Sequence, residues 1–176
     1  MTFEIIDKET PYKHDFRFEV MQEDIEYSPY LSKVYDFCPA PGQFVNTMPE
    51  YEEGDTKETI LKKVEENISG TNDVMISLGG YGGYVIFGFD HTVINVKGKK
   101  DFMILGNSFY SDLPEYQEKK GGSCEPGIVM VSFDTNLNGL LDDEWYELAG
   151  SEYYKPETIK NYRITYDRPD PNKIPE

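Results

Sequence analysis

Seven short apolar runs, spaced roughly ten residues apart, occupy the chain from Val74 to Tyr166. Each run is rich in β-branched or aromatic residues and is bounded by Gly, Asn, Pro or charged residues, which is typical of strands joined by turns. The spacing predicts a mainly β fold with one packed helix, an α+β sandwich or jelly roll. The predicted strands are VMISLGG, YVIFGF, TVINV, DFMILGN, GIVMVSF, WYELAG and NYRITY.

One helix is predicted between Asp55 and Gly70. Asp55 is a favoured N-cap residue, Glu58 stands where a reciprocal cap belongs, and Gly70 ends the pattern. The apolar face of this helix consists of Ile60, Leu61, Val64 and Ile68.

The first fifty residues lack helical periodicity. They predict irregular strands at FRFEV and KVYDF, followed by a turn at CPAPGQF.

The length of 176 residues suits one domain that buries roughly 70% of its unfolded surface. We expect a single β-rich domain over residues 1–166. Three prolines follow Arg168, so residues 167–176 are predicted to form an extended linker or the start of a domain boundary.

The chain carries 33 acidic and 17 basic residues, which gives a net charge of −16. This charge repels phosphate backbones and anionic lipid surfaces, so we do not expect a nucleic-acid partner. We also expect a monomer. No window approaches the ~20 apolar residues of a membrane helix. The first ten residues also lack the basic start and apolar run of a secretory leader.

An oxygen-rich loop lies between two of the predicted strands, within residues 133–148 (FDTNLNGLLDDEWYEL). Calcium takes six to eight oxygen ligands at about 2.3 to 2.6 Å, and a loop supplies them from alternate positions around a sharp glycine turn. Gly139 provides that turn. The predicted Ca²⁺ ligands are Asp134, Asn136, Asn138, the carbonyl of Leu140, Asp142 and Glu144.

The way in which this loop closes differs from that of a helical calcium hand. The twelfth position, where such a hand places a bidentate Glu, is Trp145, so Asp142 must be joined by Asp143, Glu144 or Glu147. The flanking residues also favour strands over helices. The loop resembles the shorter calcium loops of dockerins and thrombospondin type 3 repeats.

Two neutral Asn ligands lower the charge of the loop. We therefore expect an affinity of about 10⁻⁴ to 10⁻³ M, in the range of extracellular modules. Such a site fills outside cells, and a leader or lipid anchor that has been removed would reconcile it with the observed N-terminus. The alternative is a turn rich in Asn and Asp that holds no metal, because Asn, Asp and Gly are also the ordinary turn residues.

Cys38 and Cys124 are the only cysteines. A bridge between them would close a long loop, and two unpaired buried thiols are the alternative. Two histidines, His14 and His91, leave too few soft ligands for a zinc cluster.

Asp90 next to His91 invites a catalytic interpretation. Adjacent residues on a strand point to opposite faces, however, so a role in a turn or an edge strand is favoured.

The glycine cluster of SLGGYGGYVIFGFDH precedes a strand-type run and contains no cation, so it is not a phosphate loop. It predicts a bulge or tight connection at Gly79, Gly80, Gly82 and Gly83. Exposed aromatic rings can also stack on sugars or flat ligands. The candidates for that role are Tyr81, Tyr84, Tyr110 and Trp145.

Four blocks together resemble the Bacteroidetes cell-surface proteins with PKD-like domains. The resemblance runs from Cys38 to Pro169 and implies an exported, β-rich surface lipoprotein with further sequence after RPDP. The blocks are CPAPGQFVN, SLGGYGGYVIFGFDHTVIN, DFMILGNSFY and EPGIVMVSFDTNLNGLLDDEWYELAGSEYY.

Together these features predict a non-enzymatic binding or adhesion module with a structural calcium site at an outer cell surface. A component of an outer-membrane uptake system that captures a glycan or cofactor is the first alternative. A glycoside hydrolase is the second, and it requires a carboxylate pair drawn from Glu125, Glu144 and Glu147.

Overall fold

The computed structural model describes residues 3–6, 13–16, 25–114, 121–170 and 172–173. Over these residues the protein is mainly non-helical, with one helix and small antiparallel two-stranded sheets, as the predicted α+β class requires. The sheets pair β1 with β2, β3 with β4, β5 with β6 and β7 with β8. The elements are β1 Phe3–Ile6, β2 Lys13–Phe16, β3 Lys33–Cys38, α1 Lys57–Ile68, β4 Tyr84–Gly88, β5 Phe109–Tyr110, β6 Gly122–Ser123, β7 Met130–Ser132 and β8 Trp145–Glu147.

The predicted helix is confirmed, but its cap lies one residue later than expected. The Thr56 hydroxyl accepts a hydrogen bond from the Thr59 amide at 3.3 Å, and the Thr59 hydroxyl accepts one from the Thr56 amide at 2.8 Å. The predicted capping roles of Asp55 and Glu58 are therefore wrong, because the reciprocal box starts at Thr56. Gly70 follows the C-cap with φ 71°, as a helix-ending glycine should.

Helix α1 packs on strand β3, and this contact forms the core. Val34 and Phe37 from β3 are buried together with Ile60 and Val64 from α1. Full burial of one such side chain contributes roughly 1.5 to 3 kcal/mol to the stability of the folded state. Partly buried residues surround them, including two from the predicted helix face: Leu31, Leu61, Ile68, Ile76, Leu78, Val85 and Phe87.

A β-bulge sets the orientation of strand β3. The antiparallel register with β4 pairs Val34 with Phe87 and Asp36 with Ile86, which leaves Tyr35 as an extra residue. Without this bulge, Val34 and Phe37 would point to opposite faces of the sheet, because side chains alternate along a strand. The extra residue places both of them toward the helix.

Asp36 joins the two strands to the start of the helix. Its carboxylate lies 2.9 Å from the Lys57 ammonium and accepts a hydrogen bond of 2.8 Å from the Tyr84 hydroxyl. Lys57, and then Tyr84, lower the pKa of Asp36, while the same carboxylate raises the pKa of Tyr84 and of Lys57. The three side chains form one polar network on the surface of the small core.

The glycine cluster forms a tight connection, as predicted. The amide of Ala40 donates to the carbonyl of Leu78 at 3.0 Å, which brings two backbone segments into contact. A Cβ on Gly79, which has φ 71°, would stand 1.9 Å from the oxygen of Ala40, and one on Gly83 would stand 1.8 Å from that of Leu78. No larger residue fits at either position without a backbone shift.

Four of the predicted strands are confirmed and four are wrong. The runs YVIFGF, GIVMVSF and WYELAG contain β4, β7 and β8, and KVYDF forms all of β3 except its last residue, Cys38. The other four form no strand, because β-type composition describes a surface that suits a sheet and does not supply a pairing partner. They are VMISLGG, TVINV, DFMILGN and NYRITY.

The remaining strands were not predicted in their observed positions. In FRFEV only Phe16 falls in a strand, β2, and residues 17–20 lie outside the described residues. The two-residue strands β5 and β6 were too short to recognise from composition.

Both cysteines are free thiols and exposed, so neither the bridge nor the pair of buried thiols is found. Among the described residues, no helix combines the length and the apolar character needed to cross a bilayer.

The ion pair between Lys63 and Asp55, with 2.8 Å between the Lys63 Nζ and Asp55 Oδ2 atoms, should make stability depend on pH. Lys63, and then the Glu52 amide, hold the pKa of Asp55 below its ordinary 3.8. A carboxyl with a lowered folded-state pKa stabilises the fold above its unfolded pKa and loses that contribution as the pH falls through its folded pKa. We expect Asp55→Asn to lose less stability than the wild-type protein between about pH 5 and pH 2.

Denaturant unfolding at a series of pH values measures this difference. Lys63→Met should flatten the acid slope in the same way, whereas Glu53→Gln, at an exposed position, should retain the wild-type slope. If Asp55→Asn kept the wild-type dependence of stability on pH, the Asp55–Lys63 ion pair would not be its source.

Candidate metal site

The oxygen-rich loop is held at both ends by the hairpin of β7 and β8. The register pairs Met130 with Glu147, Val131 with Tyr146 and Ser132 with Trp145. The chain between Ser132 and Trp145 must therefore return upon itself and bring its two ends together. The β-type flanks predicted from sequence are confirmed here, and no helix enters or leaves the loop.

Asp134 organises the first half of the loop through backbone amides. Its two carboxylate oxygens accept hydrogen bonds from the amides of Asn138 at 3.1 Å and Gly139 at 2.8 Å. The chain can turn so sharply because Leu137 and Gly139 both adopt left-handed backbone conformations, with φ 57° and φ 71°. The predicted turn at Gly139 is thus present.

The two Asn side chains point into the same loop. The Asn136 Oδ1 atom accepts a bond from the Asn138 amide at 3.0 Å, and the Asn138 Oδ1 atom accepts one from the Leu140 amide at 2.8 Å. The Asn138 Nδ2 atom lies 3.3 and 3.2 Å from the two oxygens of Asp142. Four of the predicted side-chain ligands, those of Asp134, Asn136, Asn138 and Asp142, are therefore connected by hydrogen bonds around one turn.

Asp143 and Glu144 point to different neighbours. The Asp143 Oδ1 atom accepts bonds from the amide and the hydroxyl of Thr135, which ties the end of the loop to its beginning. The Glu144 carboxylate accepts a bond of 2.6 Å from the Tyr146 hydroxyl and raises the pKa of Tyr146. The structure thus brings Asp143, rather than Glu144, back to the first residues of the loop.

One oxygen of Asp143 lacks a hydrogen-bond partner among the described residues. Its Oδ2 atom is buried and accepts no hydrogen bond from the described residues. Leaving a buried polar atom unsatisfied costs about 1 to 3 kcal/mol, and more for a charged group. A bound cation would satisfy such an oxygen.

The donor chemistry suits calcium better than a softer metal. Carboxylates, amide oxygens and a carbonyl are hard ligands, and two Asp with two Asn give the moderate charge of a weak site. In the described part of the chain, no three His, Cys, Asp or Glu side chains converge to hold a metal by themselves. Any cation here would therefore depend on the Asn and backbone oxygens as well.

The hydrogen bonds of the loop also fit the metal-free alternative. Each Asx side chain accepts a bond from a nearby amide, which is the ordinary behaviour of Asn and Asp in turns. A carboxylate oxygen has two lone pairs, so one amide bond leaves room for a cation. The side-chain Nδ2 group of Asn138, by contrast, faces Asp142 and would have to turn away to admit a cation.

The other candidate residues are dispersed. Tyr81, Tyr84 and Tyr110 are exposed and Trp145 is half-buried, and no ring contact in the described part joins any two of them. The Tyr81 hydroxyl donates to the Tyr162 carbonyl at 3.0 Å. These rings do not form a shared stacking surface.

Asp90 and His91 do contact each other, contrary to the geometric argument made from sequence. The His91 Nδ1 atom lies 2.7 Å from the Asp90 Oδ1 atom, and the Ser28 amide donates to Asp90 Oδ2 at 3.0 Å. The alternation rule fails because the two residues lie in a bend after β4, not within a strand. Their position in a bend agrees with the predicted turn.

A cavity of about 520 Å³ lies beside Pro41 and residues 165–169. Its lining contains one carboxylate, that of Asp167, and none of Glu125, Glu144 and Glu147. It therefore does not contain the carboxylate pair that a glycoside hydrolase would need.

Two side-chain contacts of the structure were not predicted from sequence. Thr135 holds Asp143, although nothing in the alternating ligand pattern selects a Thr at that place. Asp36, Lys57 and Tyr84 meet although they belong to three different elements, and no local motif connects them.

No protein-family model matches the chain, and no curated protein matches it at a significant level. The resemblance to the PKD-like surface proteins therefore stays a prediction from the quoted sequence blocks.

Replacing Asp134 by Ala should loosen the loop. Both the Asn138 and the Gly139 amide would lose a charged acceptor, and hydrogen bonds to charged groups contribute about 1.5 to 3 kcal/mol. We expect a loss of that order in the free energy of unfolding, followed through Trp145 fluorescence. Asn136→Ala, which removes one neutral bond, should cost about 0.5 to 1.5 kcal/mol. Equal costs would contradict an organising role for Asp134.

Proposed function

We propose that this protein is a non-enzymatic binding or adhesion module of an outer cell surface, stabilised by a structural Ca²⁺ ion in the loop between β7 and β8. The observation that carries the calcium site is the buried Asp143 Oδ2 atom, which accepts no bond from the described residues beside a turn of oxygen donors. The proposed ligands are Asp134, Asn136, Asn138, the carbonyl of Leu140 and Asp142, with Asp143 added as the closing residue in place of Glu144.

The location follows from the expected affinity of the site. Two of the ligands are neutral Asn side chains, and the Asn138 Nδ2 group competes with calcium for the Asp142 carboxylate. The dissociation constant for calcium should therefore lie in the range of about 10⁻⁴ to 10⁻³ M. Calcium reaches that range outside cells. The resemblance of residues 38–169 to exported Bacteroidetes surface proteins supports the same location.

The role of the ion would be mechanical. It would replace the contact between Asn138 and Asp142 and would coordinate the Asp143 Oδ2 atom. It would thereby join the two ends of the loop between β7 and β8. The adjacent residues of β8, Trp145 and Tyr146, would then be held in a fixed orientation. No residue of the loop is assigned a catalytic step.

Calcium should raise the melting temperature of the full chain. At a calcium concentration of ten times Kd, binding to the folded state contributes about 1.4 kcal/mol, which corresponds to roughly 3 to 6 °C for a chain of this length. A chelator should abolish the shift, and an equal ionic strength of sodium chloride should not reproduce it. Absence of a shift in the wild-type protein would overturn the calcium site.

Two matched variants identify the closing acid. Asp143→Asn should lose the calcium shift, whereas Glu144→Gln, the same acid-to-amide change one residue later, should keep it. The reverse result would assign closure to Glu144. A shift kept by both variants would show that calcium acts elsewhere.

Asn138→Asp distinguishes a metal loop from a metal-free turn. Without calcium, the variant loses the donor to Asp142 and places two like charges together, so it should be less stable than the wild-type protein. With calcium, the added carboxylate should strengthen binding and enlarge the shift. Destabilisation that calcium does not reverse would favour the metal-free turn.

We also propose that the sheets pack face to face, as in a sandwich or jelly roll. The hairpin supports this arrangement because its register and the alternation of side chains place five apolar residues on one face. In the structure three residues of this face, Phe133, Tyr146 and Leu148, are 65%, 57% and 43% exposed, and a second layer would remove them from water. The five residues are Val129, Val131, Phe133, Tyr146 and Leu148.

Phe133→Ala tests whether this face is covered. Beneath a second sheet the substitution should cost about 3 to 5 kcal/mol, whereas at a solvent-exposed position it should cost less than about 0.5 kcal/mol. Chemical denaturation gives the value. Ile94→Ala, at a position 73% exposed, is the control for a surface apolar residue.

A further inference from the structure

The outer edge of β8 carries backbone groups that bond to no other strand in the described part of the chain. Neither strand of the hairpin pairs with a third strand among the described residues. The Leu148 amide donates to the Val129 carbonyl at 2.9 Å, so these two residues form a hydrogen-bonded pair of the antiparallel ladder. Such pairs alternate along a strand with residues whose backbone groups face away from the partner strand. Trp145 and Glu147 are residues of the second kind and direct their N–H and C=O groups outward. Such an edge is a template for another strand.

The side chains beside this edge alternate in character. Tyr146 and Leu148 lie on one face of the hairpin and are 57% and 43% exposed. Trp145 and Glu147 lie on the other face. A strand added along β8 would therefore meet apolar groups on one side and an acid beside an indole ring on the other.

The charge around the hairpin restricts the kind of partner. Residues 121–154 contain seven acidic residues and no Lys, Arg or His. A second copy of the chain would place another such segment against the first, which like-charge repulsion disfavours. A cationic strand would be attracted to the same edge.

We propose that the β8 edge binds a strand of a partner protein whose side chains alternate between apolar and basic. Its backbone would complete the hydrogen bonds of Trp145 and Glu147, as in other complexes formed by strand addition. Its apolar side chains would lie beside Tyr146 and Leu148. Its basic side chains would pair with Glu147 and contact the face of Trp145. This proposal rests on the binding role proposed above and names its partner class, but it does not require calcium.

A peptide titration of the full chain tests the proposal. The probe is a peptide of about eight residues that alternates Val and Lys, the length of an ordinary strand. Trp145 is the single tryptophan, so its fluorescence reports on this edge. We expect saturable binding that weakens with added salt and slows hydrogen exchange at the Trp145 and Glu147 amides.

Two matched peptides separate strand addition from simple charge attraction. Alternating Val and Glu should not bind. A Val and Lys peptide with a central Pro should bind at least about tenfold more weakly, because Pro lacks the N–H group and breaks the added ladder. Equal binding of either control peptide would overturn the proposal.

Matched charge reversals locate the site. Glu147→Lys should weaken peptide binding by about tenfold or more, and Glu53→Lys, with the same charge change at an exposed position outside the hairpin, should leave it nearly unchanged. Melting curves establish that each variant is folded, and Glu147→Gln replaces Glu147→Lys if the latter does not fold. Equal weakening by both reversals would show attraction to net charge alone and overturn the site.

The remaining outcomes separate this proposal from the calcium site. Self-association of the wild-type chain that slows exchange at the same two amides would overturn the proposal in favour of a second copy. Peptide binding with no calcium shift would support the edge and reject the calcium site. A calcium shift with no peptide binding would support the calcium site and reject the β8 edge.

Discussion

The core of the described fold depends on the contact between helix α1 and strand β3. Val34, Phe37, Ile60 and Val64 supply its buried side chains, and strand β4 extends the surface on which the helix rests. Burial of apolar area drives this contact, but the backbone determines which side chains can join it. The bulge at Tyr35 places two residues of β3 on the helix side, and the tight approach of Gly79 to Ala40 holds the chain that leads into β4.

The loop between β7 and β8 illustrates how one set of oxygen atoms can serve two purposes. Asp and Asn are favoured in turns because they accept backbone hydrogen bonds, and they are favoured in calcium loops because the same atoms ligate hard cations. What distinguishes the two cases is the acceptor capacity that remains after the turn has formed. Here Asp134 is engaged by two amides, while one buried oxygen of Asp143 remains without a partner among the described residues.

Local sequence patterns predicted the helix and four of the observed strands. The helix, its stop at Gly70 and the strands at KVYDF and WYELAG follow from periodicity, turn residues and β-type composition, which act over a few residues. The cap at Thr56 was missed because Asp55 is an equally suitable residue type, and only geometry decides between neighbours. The runs TVINV and DFMILGN failed as strands because pairing depends on distant parts of the chain.

The candidate site was predictable in composition but not in closure. The spacing of Asp134, Asn136 and Asn138 around Gly139 indicated a turn of converging oxygens, and the structure contains it. Sequence could not distinguish Asp143 from Glu144, since the choice depends on which direction each side chain takes as the chain enters β8. The hydroxyls of Thr135 and Tyr146 determine those directions.

The extra residue in strand β3 also restricts how this protein can change in length. Deleting Tyr35 would leave Val34 and Phe37 two residues apart, so a regular ladder without the bulge would still direct both of them at the helix. Deleting two residues between them would make them neighbours on opposite faces and would remove one of them from the core. Related chains should therefore differ in this segment by the single bulged residue and not by two.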